Sequence, residues 1–187
     1  MKQAEKFLMA TLILLTISSM NTEVVRGQNP AQMEVPADYG YVVKPGEQAP
    51  DFEMTLTDGK KVRLTDLKGR VVMLQFTASW CGVCRKEMPH IEKEIWKKHR
   101  NNPGFALYGI DLNEPLEKVV KFGKEIGITY PLALDPDGKI FYTYAEKGAG
   151  VTRNVIIDKS GKIIFLTRLF KEEEFDEMKK VIEMALN

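Results

Sequence analysis

The stretch that decides the fold is residues 71–89, which read VVMLQFTASWCGVCRKEMP. Its first part, Val71 to Phe76, is an apolar run, which is typical of a strand buried on both faces of a sheet. A helix should follow from about Cys81 to Lys98, because apolar residues recur there along one helical stripe. We therefore predict a buried strand that leads directly into a helix, with Cys81 and Cys84 where the two meet.

Further strands and helices alternate outward from this junction. A β-hairpin is predicted over residues 52–64, because Asp58-Gly59 suits a tight turn. The elements predicted on the C-terminal side are strand 105–110, helix 115–126, strand 132–134, helix 138–144, strands 155–157 and 163–166, and helix 172–186. The alternation implies parallel pairing through right-handed crossovers, and the closing hairpin adds antiparallel pairing. The predicted fold is an α/β protein, a three-layer α/β/α sandwich around a mixed central sheet.

Cys81 and Cys84 are the only cysteines, and three kinds of site use such a pair. A structural disulfide gains its stability largely by closing a loop in the unfolded chain, and a two-residue gap closes almost none. A structural zinc site needs four ligands, and the sequence has neither a second cysteine pair nor histidines at finger spacing. The third kind, a redox-active dithiol, is the one that a position at a helix N-terminus favours.

A helix N-terminus suits redox chemistry because its unpaired N–H groups and its dipole stabilise a thiolate. Cys81 opens the helix, so we expect its pKa to lie below that of an ordinary thiol. Cys84 lies one turn further in and should be shielded. We therefore expect Cys81 to attack a partner disulfide and Cys84 to release the reduced partner by attacking Cys81.

The segment from Phe76 to Pro89 resembles the active-site segment of the TlpA/ResA-like thiol-disulfide oxidoreductases, which belong to the thioredoxin superfamily and are related to the AhpC/TSA redoxins. Two later segments, Leu134–Gly138 and Val155–Ile163, also look like that family. The resemblance covers about residues 46–187. It implies a thioredoxin-like fold with an N-terminal β-hairpin and an inserted helical segment, in a protein that works on the periplasmic side of a bacterial membrane.

The resemblance also implies roles for two residues beside the pair. A glutamate at the position of Glu87 is associated in this family with proton handling, and burial near Cys84 would raise its pKa enough for it to accept a proton. The alternative for Glu87 is a solvated charge on the helix surface. Trp80 is expected to pack beside the reactive thiol and to give a partner a flat apolar contact, and its alternative is an ordinary core aromatic.

Two positions depart from the family pattern. Val83 stands where the family usually has a proline between the cysteines, which should change the reduction potential. Thr152 stands where thioredoxin-like proteins have a cis-proline, and we expect a trans peptide there because a cis bond before another residue costs about 2.5–4 kcal/mol. The loop of Val151, Thr152 and Arg153 is the candidate site for partner binding. Arg153 is expected to approach Cys81 and stabilise its thiolate, or else to be solvated at the surface.

The N-terminus is predicted to contain a signal peptide followed by a linker. Residues 1–27 are predicted to be a cleaved signal peptide, with lysines ahead of an apolar run from Phe7 to Ile17 that is shorter than a membrane span. An uncleaved membrane anchor is the alternative. Residues 28–45 are predicted to be a linker or irregular arm, and residues 46–187 the thioredoxin-like domain. A periplasmic, oxidising location follows from the signal peptide.

Two enzymatic functions remain open from the sequence, and the intact cysteine pair argues against a third possibility, a non-catalytic thioredoxin-like binding domain. The first is an exported oxidoreductase that reduces disulfides of other exported proteins and is recharged by a membrane or periplasmic electron donor. The second is a thiol peroxidase of the peroxiredoxin type, although Leu74 and Ala78 stand where that signature has proline and threonine. With 27 basic and 26 acidic residues there is no global charge to attract nucleic acid. We expect no cofactor and no metal.

Overall fold

The computed structural model describes residues 35–187. The predicted signal peptide, residues 1–27, and the first part of the predicted linker, residues 28–34, lie outside the described residues. Within residues 35–187, no helix is both long enough and apolar enough to cross a membrane.

Seven strands form one sheet. They are β1 (Glu53–Leu56), β2 (Lys61–Arg63), β3 (Val71–Thr77), β4 (Phe105–Leu112), β5 (Leu132–Asp135), β6 (Arg153–Ile157) and β7 (Ile163–Arg168). Their order across the sheet is β2-β1-β5-β4-β3-β6-β7. Strands β3, β4 and β5 are parallel, whereas the pairs β1–β2, β1–β5, β3–β6 and β6–β7 are antiparallel. The sheet is therefore mixed, with a hairpin at its N-terminal edge, as the sequence predicts.

Helices cover both faces of this sheet. They are α1 (Gly82–His90), which continues through a π-helical stretch (Ile91–Trp96) into α2 (Lys97–His99), then α3 (Leu116–Ile126), α4 (Lys139–Tyr144) and α5 (Glu172–Leu186). The first long helix contacts α3 through Arg85, which lies over the Phe122 ring, and α5 through Lys179, which pairs with Glu94. On the opposite face, Phe141 of α4 packs edge-on against Phe76 of β3. The predicted three-layer α/β/α sandwich is confirmed.

Strand β3 is the centre of the core. Every residue of β3 and every residue of β6 is buried, which is what an apolar run flanked by strands on both sides requires. The helix that follows β3 changes from α to π geometry just after Pro89, whose ring nitrogen has no hydrogen to donate to the preceding turn.

The inward face of α3 differs from the one that the apolar pattern predicts. The pattern favours Leu116, Val119, Val120 and Ile126 as inward residues. Val119 is fully buried, but Leu116 is 43% exposed, and Phe122 is buried instead. Leu116 opens the helix beyond the end of β4, so the sheet offers it little to pack against.

Residues 35–45 pack onto the domain. Ala37–Tyr39 forms a single 3-10 turn. The hydroxyl of Tyr41 donates to the carbonyl oxygens of Thr167, at 2.7 Å, and of Asn154, at 3.1 Å. Tyr39 is buried, and its hydroxyl donates to Glu174 of α5. The part of the predicted arm that the structure describes is thus irregular in shape and held by two tyrosines.

Two glycines make room for one leucine in the core. A Cβ on Gly109 of β4 would lie 2.6 Å from one methyl group of Leu132, and a Cβ on Gly123 of α3 would lie 2.9 Å from the other. Leu132 therefore cannot turn away from one glycine without meeting the other.

We expect Gly109→Ala to lower the free energy of unfolding by about 1–3 kcal/mol, the usual cost of overfilling a packed core. Urea unfolding followed by circular dichroism measures it. Gly150→Ala is the matched control, because nothing lies within 4 Å of a Cβ there. In the background of Leu132→Ala the cost of Gly109→Ala should largely disappear, and an undiminished cost would contradict this account.

Candidate active site

The two cysteines form a disulfide at the point where β3 passes into α1. Cys81 is the N-cap residue of α1, and its Sγ accepts a hydrogen bond from the backbone N–H of Cys84 at 3.1 Å. Cys81 is 8% exposed, whereas Cys84 is fully buried. Cys81 is therefore the less enclosed of the two cysteines, and its sulfur is also the one that the helix N-terminus contacts.

Thr152 closes the site from the other side. Its Oγ1 lies 3.1 Å from Sγ of Cys81 and 3.3 Å from Sγ of Cys84. The described residues contain no cis peptide bond, so the bond before Thr152 is trans, as expected. Val151, the preceding loop residue, is buried as well. The loop that the sequence assigns to partner binding thus reaches the disulfide through a threonine hydroxyl.

Glu87 is buried in α1, three residues after Cys84 on the same helix. Residues at this spacing share a helix face. Its side chain is 1% exposed, so the alternative of a solvated surface charge is excluded. Burial raises the pKa of Glu87 to about 7, although a hydrogen bond from Asn154 to the carboxylate opposes the shift. A group with that pKa changes its charge near neutral pH.

Neutral polar side chains surround Glu87. Nδ2 of Asn154, on β6, donates to Oε1 of Glu87 at 2.7 Å and is 2.9 Å from Oγ1 of Thr167. Gln75 of β3 is paired in register with Asn154 and accepts a hydrogen bond from the Tyr130 hydroxyl at 2.8 Å. Asn154 was not expected at the site from the sequence. The clue that could have found it is a neutral polar residue directly before the apolar residues 155–157 of the predicted strand.

A second buried acid group holds the loop before Cys81. Glu114 is 4% exposed and accepts hydrogen bonds from the backbone N–H and the hydroxyl of Ser79. Asp111 lies at the end of β4, opposite Thr77 in the register. Burial, together with the negative charge of Glu114, raises the pKa of Asp111 to about 8. Neither acid was expected at the site from the sequence.

Trp80 lies at the surface immediately before Cys81. Its side chain is 64% exposed, which excludes the alternative of a core aromatic. An exposed indole beside a reactive sulfur is a flat apolar surface that a partner can contact.

Arg153 is placed differently from the expectation. Its side chain is fully buried rather than solvated. The guanidinium lies 4.6 Å from the ring centre of Tyr41 and 5.9 Å from that of Phe141, and Nε donates to the carbonyl oxygen of Gly150 at 2.8 Å. Because side chains alternate along a strand, Arg153 points to the α4 face while Asn154 points to Glu87. Arg153 therefore packs among aromatic side chains, not beside Cys81 as expected.

Comparisons with known proteins agree with this geometry. The thiol-disulfide oxidoreductase ResA of Bacillus thuringiensis (strain Al Hakam) is 38% identical over 120 residues, which are 64% of this chain and 66% of that protein. The chain thus aligns with just under two thirds of that relative's length. A solution structure from Bacteroides thetaiotaomicron, provisionally named a protein disulfide isomerase, is 63% identical with a TM-score of 0.77, over 79% of this chain and 93% of that one.

Structural superposition also finds the thioredoxin-like proteins that the sequence predicts. The thioredoxin domain of a thiol-disulfide oxidoreductase from Bacteroides vulgatus superposes with a TM-score of 0.65 at 23% identity, over 78% of this chain and 99% of that one. The thioredoxin-like fold and the resemblance to the ResA-like proteins are both confirmed. A family model described as the AhpC/TSA family matches residues 45–166, which is more than half of the sequence. The chain therefore belongs to the AhpC/TSA family.

Proposed function

We propose that the protein is an exported thiol-disulfide oxidoreductase that reduces disulfides of other exported proteins through Cys81 and Cys84. The observation that carries the proposal is the unequal placement of the two sulfurs. Cys81 is the less buried of the two cysteines and its Sγ accepts a backbone N–H at a helix N-terminus, while Cys84 is fully enclosed. ResA-like relatives that are named thiol-disulfide oxidoreductases support it.

The reaction follows from this placement. In the reduced protein the Cys84 N–H and the helix dipole favour the thiolate of Cys81, which attacks a partner disulfide and forms a mixed disulfide. Cys84 then attacks Cys81, and the partner leaves with both of its sulfurs reduced. Cys84 is buried, so its own proton needs an acceptor inside the protein.

Glu87 is the proposed acceptor. Its Oε1 receives the Asn154 amide, whereas its Oε2 has no hydrogen-bond partner among the described residues. With a pKa of about 7, the carboxylate is available at neutral pH and is basic enough to take a thiol proton. The hydrogen bond from Asn154 favours the charged form that accepts the proton, and burial limits how far that charge is stabilised.

The surface around Cys81 is the proposed partner site. Trp80 offers an exposed indole on one side, and the Val151–Thr152 loop borders the sulfur on the other. Export and a periplasmic location rest on the predicted signal peptide, residues 1–27. An electron donor in the membrane or periplasm would then return the disulfide to the dithiol.

The peroxidase alternative has less support. Leu74 and Ala78 occupy the positions where the peroxiredoxin signature has proline and threonine, and both are buried and apolar. Hydrogen peroxide consumption that matches the rate of disulfide reduction would favour that alternative.

The roles of the two cysteines can be separated with an aromatic disulfide such as dithiobis-nitrobenzoate. The reduced wild-type chain should release two equivalents of the coloured thiol and keep none bound. Cys84→Ser should release one equivalent rapidly and retain the other as a stable mixed disulfide, detected by mass spectrometry. Cys81→Ser is the control and should react slowly, because Cys84 is enclosed. Equal rates for the two variants would overturn the assignment of Cys81 as the attacking sulfur.

The titration of Glu87 should appear in the pH dependence of stability. The pKa of Glu87 is raised from 4.5 to about 7 in the folded state, so the folded chain retains a proton that the unfolded chain releases. Its contribution to stability is fully present below about pH 4.5 and is lost as the pH rises through about 7. Relative to Glu87→Gln, the wild type should lose about 3 kcal/mol of unfolding free energy over that interval.

Urea unfolding at a series of pH values measures this difference. Glu117→Gln, which removes an exposed carboxylate on α3, is the control for the loss of one acidic side chain. The release of the second thiol equivalent should also rise with pH through about 7 in the wild type and stay slow and flat in Glu87→Gln. Parallel stability curves for the wild type and Glu87→Gln would show that Glu87 does not titrate in this range.

A further inference from the structure

The hydroxyl of Thr152 contacts both reacting atoms. Oγ1 is 3.1 Å from Sγ of Cys81 and 3.3 Å from Sγ of Cys84, and the residue is only 3% exposed. In the disulfide neither sulfur carries a hydrogen, so the hydroxyl is the only possible donor, and its single hydrogen points to one sulfur or is shared between the two. A donor placed between two sulfurs can follow a negative charge from one to the other by rotating about a single bond.

The backbone holds this hydroxyl in place. The carbonyl oxygen of Thr152 accepts a hydrogen bond from the N–H of Leu169 at 3.1 Å, at the end of β7. The next residue, Arg153, begins β6 and is fixed by the Gly150 carbonyl and the Tyr41 ring. These backbone and side-chain contacts, none of which involves a sulfur, therefore hold Thr152 beside the disulfide.

We propose that Thr152 is a catalytic residue, whose hydroxyl donates a hydrogen bond to the thiolate of Cys81 in the reduced protein and to that of Cys84 during release of the partner. This inference rests on the proposed function and goes beyond it, because it assigns to the loop a part in the chemistry as well as in binding. The hydroxyl keeps its own proton throughout.

The atoms balance in each step. The Cys81 thiolate attacks the partner disulfide, the partner's sulfur–sulfur bond breaks, and the first partner thiolate leaves and takes a proton from solvent. Cys84 gives its proton to Glu87 and attacks Cys81, the bond between Cys81 and the partner breaks, and the second partner thiolate leaves. The pair loses two electrons and the partner disulfide gains them. The negative charge sits first on Cys81 and then on Cys84, and Oγ1 of Thr152 contacts both.

The hydroxyl should favour the reduced state over the oxidised state. A hydrogen bond to a charged acceptor is roughly twice as strong as one to a neutral acceptor, and a disulfide sulfur is a weak acceptor. Removing the hydroxyl therefore destabilises the thiolate more than the disulfide. The effect requires the thiolate, so it should vanish at a pH where Cys81 is protonated.

The test is the redox equilibrium of the purified chain with glutathione, followed by alkylation and mass spectrometry. At about pH 8, Thr152→Val should shift the equilibrium constant about tenfold toward the disulfide, the size expected for one hydrogen bond to a charged group. Thr152→Ala removes the same hydroxyl without filling the space and should shift it in the same direction. Thr152→Ser keeps the hydroxyl and should stay near the wild type. At about pH 5 the four proteins should converge.

Thr77→Val is the matched control. Thr77 is a fully buried threonine close to the site in sequence, and its hydroxyl contacts the sulfur of Met88 at 3.2 Å rather than the disulfide. Its equilibrium constant should equal that of the wild type. The proposal fails if Thr152→Val and Thr152→Ala both match the wild type at about pH 8, or if Thr152→Ser shifts as far as they do. A wild-type chain with no two-electron couple would overturn the proposed function itself, before any substitution is made.

Discussion

The structure depends on the hydrogen-bonded register of β3, which is paired along its length with β4 on one side and β6 on the other. This register places Gln75 opposite Asn154, so a pair of amides lies beneath the helix that carries the disulfide. It also places Thr152, the residue just before β6, beside the two sulfurs. A shift of one residue would turn Asn154 away from Glu87 and Arg153 toward it, because side chains alternate between the faces of a sheet. Strand pairing therefore determines which side chains surround the disulfide.

The site combines polar groups with an environment that excludes water. Glu87 and Asp111 are both buried near the end of the parallel strands, and burial raises the pKa of each, to about 7 and about 8. Such groups cost stability when they ionise, and they are retained where a proton has to be held or moved. Glu87 contacts only neutral partners among the described residues, which allows its charge to change without breaking an ion pair. The proposed reactive sulfur, in contrast, belongs to the less enclosed cysteine and contacts the helix N-terminus.

Much of this arrangement could be predicted from the sequence. The apolar run of residues 71–76, followed by Trp80 and the two cysteines, indicates a buried strand, a helix N-terminus and a redox-active dithiol, and the structure shows the strand, the helix N-terminus and the cysteine pair, joined as a disulfide. The burial of Glu87 could be expected from its spacing to Cys84. The hydrogen bond of Asn154 to Glu87 and the contacts of the Thr152 hydroxyl with the two sulfurs could not, because they join residues far apart in the chain and depend on the register between strands. Arg153 shows the same limit: an arginine beside a reactive loop looks like a surface charge, and only the three-dimensional structure reveals the aromatic rings that enclose it.

Side chains alternate between the two faces of the sheet along β6, so neighbouring residues meet different surroundings. Thr152 and Asn154 face the disulfide and Glu87, while Arg153 between them packs into aromatic rings on the other side of the sheet. Arg153 also helps to place Thr152, so a substitution that loosens the aromatic packing should alter the redox equilibrium as well as the stability of the fold. Thermal tolerance and electron affinity are therefore linked traits in this chain.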